Sequence, residues 1–250
     1  MISLSSIAIY LAQNPILSLT VFAHLLSDFH LQSQEMADKK VKRGKYLYWH
    51  YLGIAIPLII LSFVLYDYKI YFLTVFISHV VIDYLKCYLD NIIKRKKAES
   101  LAFIIDQLLH LLSIIILYHS FSFSYAPDYL TTYYPLIQIS LFLILITKPV
   151  NIAFKIIFKK YQVSEDDDNT KKTIAGAGGI IGNLERLAIG LFLIVGQITA
   201  IGFIFTAKSI ARYDKIAKNQ AFAEYYLIGS LFSIISVIIA FVVIYGWFGL

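Results

Sequence analysis

The sequence predicts an all-α fold, a polytopic bundle of transmembrane helices with about seven hydrophobic segments. Three observations carry that prediction. Hydrophobic residues fill 59% of the 250 positions and charged residues 15%, both displaced from soluble averages toward the membrane class. Several apolar runs approach the ~20 residues that cross a bilayer as a helix. The Lys and Arg residues behind the net charge of +6 lie between those runs, where positive-inside topology and anionic lipid account for them. The charge therefore implies membrane lipid as a partner and no nucleic acid, and it leaves the oligomeric state open.

The segments run from about 5 to 30, 51 to 66, 70 to 89, 101 to 120, 135 to 158, 180 to 206 and 222 to 248. The first 27 residues hold no Lys or Arg and no small-residue cleavage site, so the first segment reads as a retained span rather than a signal peptide. Pro15 divides it into a short surface helix and a span that starts near the proline. Segment two, "YLGIAIPLIILSFVLY", is short and predicts a thin or tilted fit. The loops "EMADKKVKRGKY" (35–46) and "DNIIKRKKAES" (90–100) are strongly basic, whereas "YDYK" (66–69) and "SFSYAPDYLTTYY" (122–134) are not. The basic pair is expected on the cytoplasmic side. Segments one and three then run inward, and two and four outward. The stretch "KKYQVSEDDDNTKKT" (159–173) reads as a cytoplasmic linker. Two regions follow, 1–125 with four segments and 126–250 at the carboxyl terminus. Segment six admits two paths. It either crosses, leaving the basic "AKSIARYDKIAK" (207–218) outside, or it turns back within 174–206 as a re-entrant hairpin.

Ionisable residues inside a span cost roughly 2.5 to 3.5 kcal/mol each on insertion scales and point to function by default. Within the first four segments the acids well inside apolar runs are Asp28, Asp83 and Asp106, and each has a histidine four residues away. The motifs are "HLLSD" (His24, Asp28), "HVVID" (His79, Asp83) and "DQLLH" (Asp106, His110). Four residues are about one helical turn, so each pair shares a face. The order is His then Asp in the inward segments and Asp then His in the outward one. All three carboxylates therefore lie nearer the cytoplasm, with the imidazoles one turn deeper, in two stacked layers. His50, after "KYLYW", opens segment two from the same side and joins the rim.

Imidazole and carboxylate suit Zn, Mn or Fe, as one ion with supporting groups or as two. Cys87, the single cysteine, excludes an internal disulfide and a multi-cysteine site. The metal set is His24, Asp28, His50, His79, Asp83, Asp106 and His110, with the three aspartates also catalytic candidates. Two other readings fit the same residues: helix glue, in which each His neutralises its Asp, and a proton or ion pathway. Gln32 and Gln107 are expected to hydrogen-bond the ligand carboxylates. Lys86 is expected at the substrate or, equally, snorkelling at the helix end. His30 reads as an interfacial bystander, and His119 lies too near the outer surface to take part.

In the second half, "TIAGAGGIIGNLERLAIGL" (173–191) fits neither a dinucleotide fingerprint nor a Walker loop. Close helix packing through Gly178 and Gly182 is the expectation. Glu185 and Arg186 are expected to pair together, or Glu185 to approach the His/Asp layers while Arg186 binds an anionic headgroup. Lys208 and Arg212, one turn apart, are the remaining headgroup candidates, and Glu224 is a possible partner for these bases.

The series "HLLSDFHLQ", a Lys-rich turn, a lone His, "HVVIDYLK" and "FIIDQLLH" resembles an uncharacterised bacterial family of polytopic membrane proteins, domain of unknown function 3307, over roughly residues 16–118. The later "GGIIGNLERL", "GFIFTAKSIARY" and "AEYYLIGSL" resemble the carboxyl-terminal region of its longer members. That resemblance implies no activity. A looser likeness, in His/Asp pairs on membrane helices, is to proteins labelled membrane-bound metal-dependent hydrolases, and it implies hydrolysis. The expected function is a metal-dependent hydrolase acting at the cytoplasmic face on a lipid or lipid-linked substrate. The alternative is a transporter or permeation protein for metal ions or protons that uses the same groups.

Overall fold

The computed structural model of the chain describes residues 4–39, 44–121, 123, 126–162 and 176–246. Most of the expected linker at 159–173 and the middle of the first basic loop lie outside them. Every regular element among the described residues is helical. Six helices are long and apolar enough to cross a membrane, and a bent pair near the amino terminus would make a seventh. The chain divides into two compact units, Leu11–Leu141 and the remainder. The division falls inside the helix Tyr134–Ile146.

The chain breaks early. Helices α1 (Leu4–Gln13) and α2 (Pro15–Leu25) meet at Asn14 with a bend of 98°, because Pro15 is favoured as the first residue of a helix and not inside one. The Tyr118 hydroxyl donates to Asn14 Oδ1 at 2.8 Å. A π-helical turn, Leu26–Leu31, continues α2, then come α3 (Gln34–Lys39) and α4 (Lys45–Val64). Helix α4 has 20 residues, about 30 Å at 1.5 Å each. The expected thin second segment is therefore a full-length one, since the amphipathic "KYLYWH" start belongs to the helix. Glu35 ties α3 to the start of α4. Its carboxylate accepts from Lys39 Nζ at 2.8 Å and from the Tyr46 hydroxyl at 2.9 Å, and these partners hold its carboxyl below the usual range.

Helices α5 (Lys69–Arg95) and α6 (Glu99–Ser120) form the next pair, joined by a short turn in which Lys97 has φ 52°. Ile16, Leu17, Ile54, Tyr71, Phe72 and Ile114 form the buried core. The outward faces stay apolar: Phe63 is 80% and Ile116 61% exposed, as lipid-facing positions should be and a water-facing surface should not. Helix α7 (Asp128–Thr132) leads into α8 (Tyr134–Ile146).

The second unit is built around another break. Helix α8 ends at Ile146, and α9 (Lys148–Ile157) follows after Thr147 with Pro149 in its first turn. Proline removes a backbone donor, and in an apolar surround the freed carbonyls need partners. Arg186 supplies them. Its Nε donates to the Ile146 carbonyl at 2.5 Å and its Nη2 to the Thr147 carbonyl at 3.3 Å. Further bonds go to Asn151 Oδ1 (2.6 Å), Asn183 Oδ1 (2.9 Å) and Ser233 Oγ (3.3 Å).

Arg186 projects from α10 (Ala177–Ile194). At Gly196, with φ 71°, the chain turns into α11 (Ile198–Ala211). Lys208 Nζ lies 2.6 Å from Glu185 Oε2. Both residues stand about ten positions from the turn, so α10 and α11 run antiparallel as a helical hairpin. This is the returning path of the two admitted for segment six. The hairpin leads through α12 (Tyr213–Lys218) into α13 (Gln220–Tyr245). Close packing falls at Gly182 and Gly190, not at Gly178. A Cβ on Gly190 would lie 2.9 Å from the Phe142 ring, and one on Gly182 3.2 Å from Asn151 Oδ1, whereas Gly178 faces open space.

Candidate metal centre

Four elements of the first unit bring the polar side chains together. His24 ends α2 and Asp28 lies in the π-helical turn, a wider geometry that recurs at functional sites. Ser27 Oγ donates to the Ala23 carbonyl at 2.8 Å across the junction. His50 comes from α4, His79 and Asp83 from α5, and Asp106 and His110 from α6. All seven are buried, at 0–6% exposure, although each is costly to bury unless paired, hydrogen-bonded or bound to a cation.

The imidazoles form one layer. Ring centroids of His79 and His110 are 4.0 Å apart, those of His24 and His110 5.1 Å, and those of His24 and His79 5.2 Å. The carboxylates lie against it. His79 Nε2 is 3.0 Å from Asp28 Oδ1 and 3.4 Å from Asp83 Oδ2. His50 Nε2 is 2.8 Å from Asp83 Oδ2 and 3.8 Å from Asp28 Oδ1. His50 is thus fully inside the cluster rather than at its rim, because α4 starts a turn and a half earlier than the apolar run alone suggests.

Gln107 braces the arrangement. Its Nε2 lies 3.3 Å from both Asp28 Oδ2 and Asp106 Oδ2, and its Oε1 3.3 Å from His24 Nε2. With the amide nitrogen on the carboxylates, Oε1 accepts from His24 Nε2–H. The Asp106 carbonyl likewise accepts from His110 Nδ1–H at 2.8 Å. Both tautomers are set by these acceptors, which leaves a lone pair on the other ring nitrogen, the form a metal takes. Those atoms, His24 Nδ1 and His110 Nε2, are buried and have no hydrogen-bond partner among the described residues, and neither has Asp106 Oδ1. Three groups gather donor atoms within 4.8 Å of one another: His24, Asp28 and His79; His50, His79 and Asp83; Asp83, Asp106 and His110. This mixed nitrogen and oxygen donor set, with unpartnered lone pairs, fits Zn, Mn or Fe.

Lys86, one turn past Asp83, donates to Asp106 Oδ2 at 2.6 Å while its side chain stays 31% exposed. Gln32 makes no bond to the cluster; its Oε1 is buried without a partner among the described residues. His30 belongs to none of the three groups, and His119 is exposed near the end of α6.

The expected residues of the second half take other roles. Arg186, expected at a headgroup, is 4% exposed and caps α8, because a broken helix offers a buried cation the carbonyl end of its dipole. Glu185, expected beside the layers or paired with Arg186, pairs with Lys208 instead. Glu224 accepts from Gln220 Nε2 at 3.1 Å. Arg212 is half-buried at the end of α11, beside the exposed Tyr213. Asn151, Asn183 and Ser233, which hold Arg186, carry no sequence signal of that job beyond a polar residue in an apolar run.

A model of the family described as a protein of unknown function, DUF3307, matches residues 16–140, the stretch from α2 into α8 that contains the whole centre. No curated protein and no solved structure matches the chain.

Proposed function

Because the chain belongs to the DUF3307 family, and the family's stretch contains the buried His/Asp centre, we propose that it is a membrane-embedded metal-dependent hydrolase. It works at the cytoplasmic face of a bacterial inner membrane on a lipid or lipid-linked substrate. The observation that carries the reading is the donor set. Buried imidazoles and carboxylates gather in three groups with donor atoms within 4.8 Å of one another, while His24 Nδ1, His110 Nε2 and Asp106 Oδ1 have no hydrogen-bond partner among the described residues. Carboxylates in an apolar surround need cations, and the donor set suits one or two divalent ions.

Bound there, a divalent ion supplies Lewis acidity to water and to the substrate's carbonyl or phosphoryl oxygen. The protein's own groups do the rest. Gln107 and the Asp106 carbonyl fix the His24 and His110 rings. Lys86 and Gln107 hold Asp106 Oδ2, which turns Oδ1 toward the ion. Lys86, part-exposed, steadies Asp106 and can turn to an anionic group of the substrate.

The basic turn Lys94–Lys97 supports the cytoplasmic side. It lies 11 residues beyond Asp83 on α5, about 16 Å along a helix, and basic turns favour the cytoplasm.

The test is activity of the full chain, loaded with Zn or Mn in detergent, on p-nitrophenyl esters and phosphate esters, beside ion flux in sealed vesicles. Metal-dependent hydrolysis abolished in Asp83→Ala is the expected result. Ion flux that depends on Asp83, with no hydrolysis, would replace the reading with transport.

A further inference from the structure

Four imidazoles enter the cluster, and one differs from the other three in both sequence and bonding. His24, His79 and His110 each have an aspartate four residues away, whereas His50 has no acid at that spacing. It is also the one imidazole of the four that comes from α4. The contrast repeats at the ring nitrogens. His24 Nδ1, His79 Nε2 and His110 Nε2 are buried with no hydrogen-bond partner among the described residues. His50 Nε2 is engaged instead, 2.8 Å from Asp83 Oδ2. Its 3.8 Å separation from Asp28 Oδ1 is too long for a second hydrogen bond.

An ionised carboxylate only accepts, so His50 Nε2 carries the hydrogen of this bond. A metal takes the lone pair of a ring nitrogen and not its N–H. Distance alone groups His50 with His79 and Asp83 as ligands; the hydrogen bond sets it behind Asp83. His50 is 1% and Asp83 0% exposed, a setting in which a hydrogen bond is stronger than in water. The bond also runs between helices, from α4 to α5, so it fixes the direction of the carboxylate from outside the helix that carries it. Carboxylates that ligate metal are themselves hydrogen-bonded by such partners.

We infer that His50 is a positioning residue and not a metal ligand: its Nε2–H orients the Asp83 carboxylate, and the three His/Asp pairs supply the atoms that bind metal. This rests on the proposed metal centre. Helix α4 then contributes orientation to the centre, while α2 with its π-helical turn, α5 and α6 contribute ligands. Removing the His50 donor should weaken metal binding by about 10- to 100-fold, the range for loss of a group that holds a ligand, without changing which atoms touch the ion.

The test uses the full chain in detergent, stripped and reloaded with Mn, and compares the wild type with His50→Gln, His50→Leu and His110→Gln. Metal per chain is measured by mass spectrometry, affinity by competition against a chelator, and the histidine nitrogens on the ion by pulsed electron paramagnetic resonance. Glutamine keeps a side-chain N–H for Asp83 and leucine does not. Both His50 variants are expected to keep the wild-type nitrogen couplings, with the affinity lost in His50→Leu largely recovered in His50→Gln. His110→Gln should lose a coupling. A coupling lost in His50→Gln makes His50 a ligand and overturns the inference. Equal affinity in the two His50 variants, with couplings intact, overturns the positioning role. Where His50→Leu does not fold, the couplings and affinity of His50→Gln decide. No metal in the wild type overturns the metal centre itself.

Discussion

Gln107 shows how much of the centre depends on a residue that binds no ion. Its amide faces two carboxylates and one imidazole, so it fixes both the spacing of Asp28 and Asp106 and the tautomer of His24. Gln107→Leu keeps the volume and removes all three bonds. Loss of such an outer partner lowers metal affinity by about 10- to 100-fold, and competition against a chelator measures it; unchanged affinity would contradict the role. The histidine and aspartate partners were readable because helical period converts a four-residue spacing into a shared face. His50 was harder to place. No acid lies a turn away from it, and its depth depends on where α4 begins, which Tyr48 and Trp49 obscure by being both apolar and interfacial.

At the scale of elements, the two broken helices are resolved differently. The α1–α2 break uses Asn14 and Tyr118, whereas the α8–α9 break uses a buried arginine from α10. Pro15 and Pro149 signal the breaks in the sequence. The partner of the second break does not, since Arg186 stands 39 residues beyond Thr147 and its role depends on tertiary placement. Arg186→Gln leaves the Ile146 and Thr147 carbonyls without their charged donor. The expected cost is about 3 kcal/mol, read as a lowered denaturation midpoint in detergent, and Arg186→Lys should recover only part of it because an ammonium lacks the planar fork. Gly190→Ala places a methyl against the Phe142 ring and should cost about 1–3 kcal/mol by overpacking. The same change at Gly178, which faces open space, should cost nothing from packing.

For the whole molecule, the apolar runs and their basic turns were legible from composition, since a bilayer imposes length and charge rules that single sequences obey. Segment six was not, because an apolar run with a glycine in it is equally compatible with crossing and with turning back. The Glu185–Lys208 pair decides for the hairpin. Cysteines introduced at Gly176 and at Asp214, in a chain whose Cys87 is replaced by Ser, should therefore react with an impermeant thiol reagent from the same side of sealed vesicles. Labelling from opposite sides would contradict the antiparallel arrangement.

The proposed role of the seven buried His and Asp side chains is to hold metal. Metal content of the purified chain, reloaded with Zn or Mn and compared with Asp83→Ala and His110→Ala, tests it most directly. Stoichiometric metal in the wild type, diminished in both variants, is predicted. A well-folded wild type that retains no metal after reloading would contradict the account and leave the cluster as helix glue.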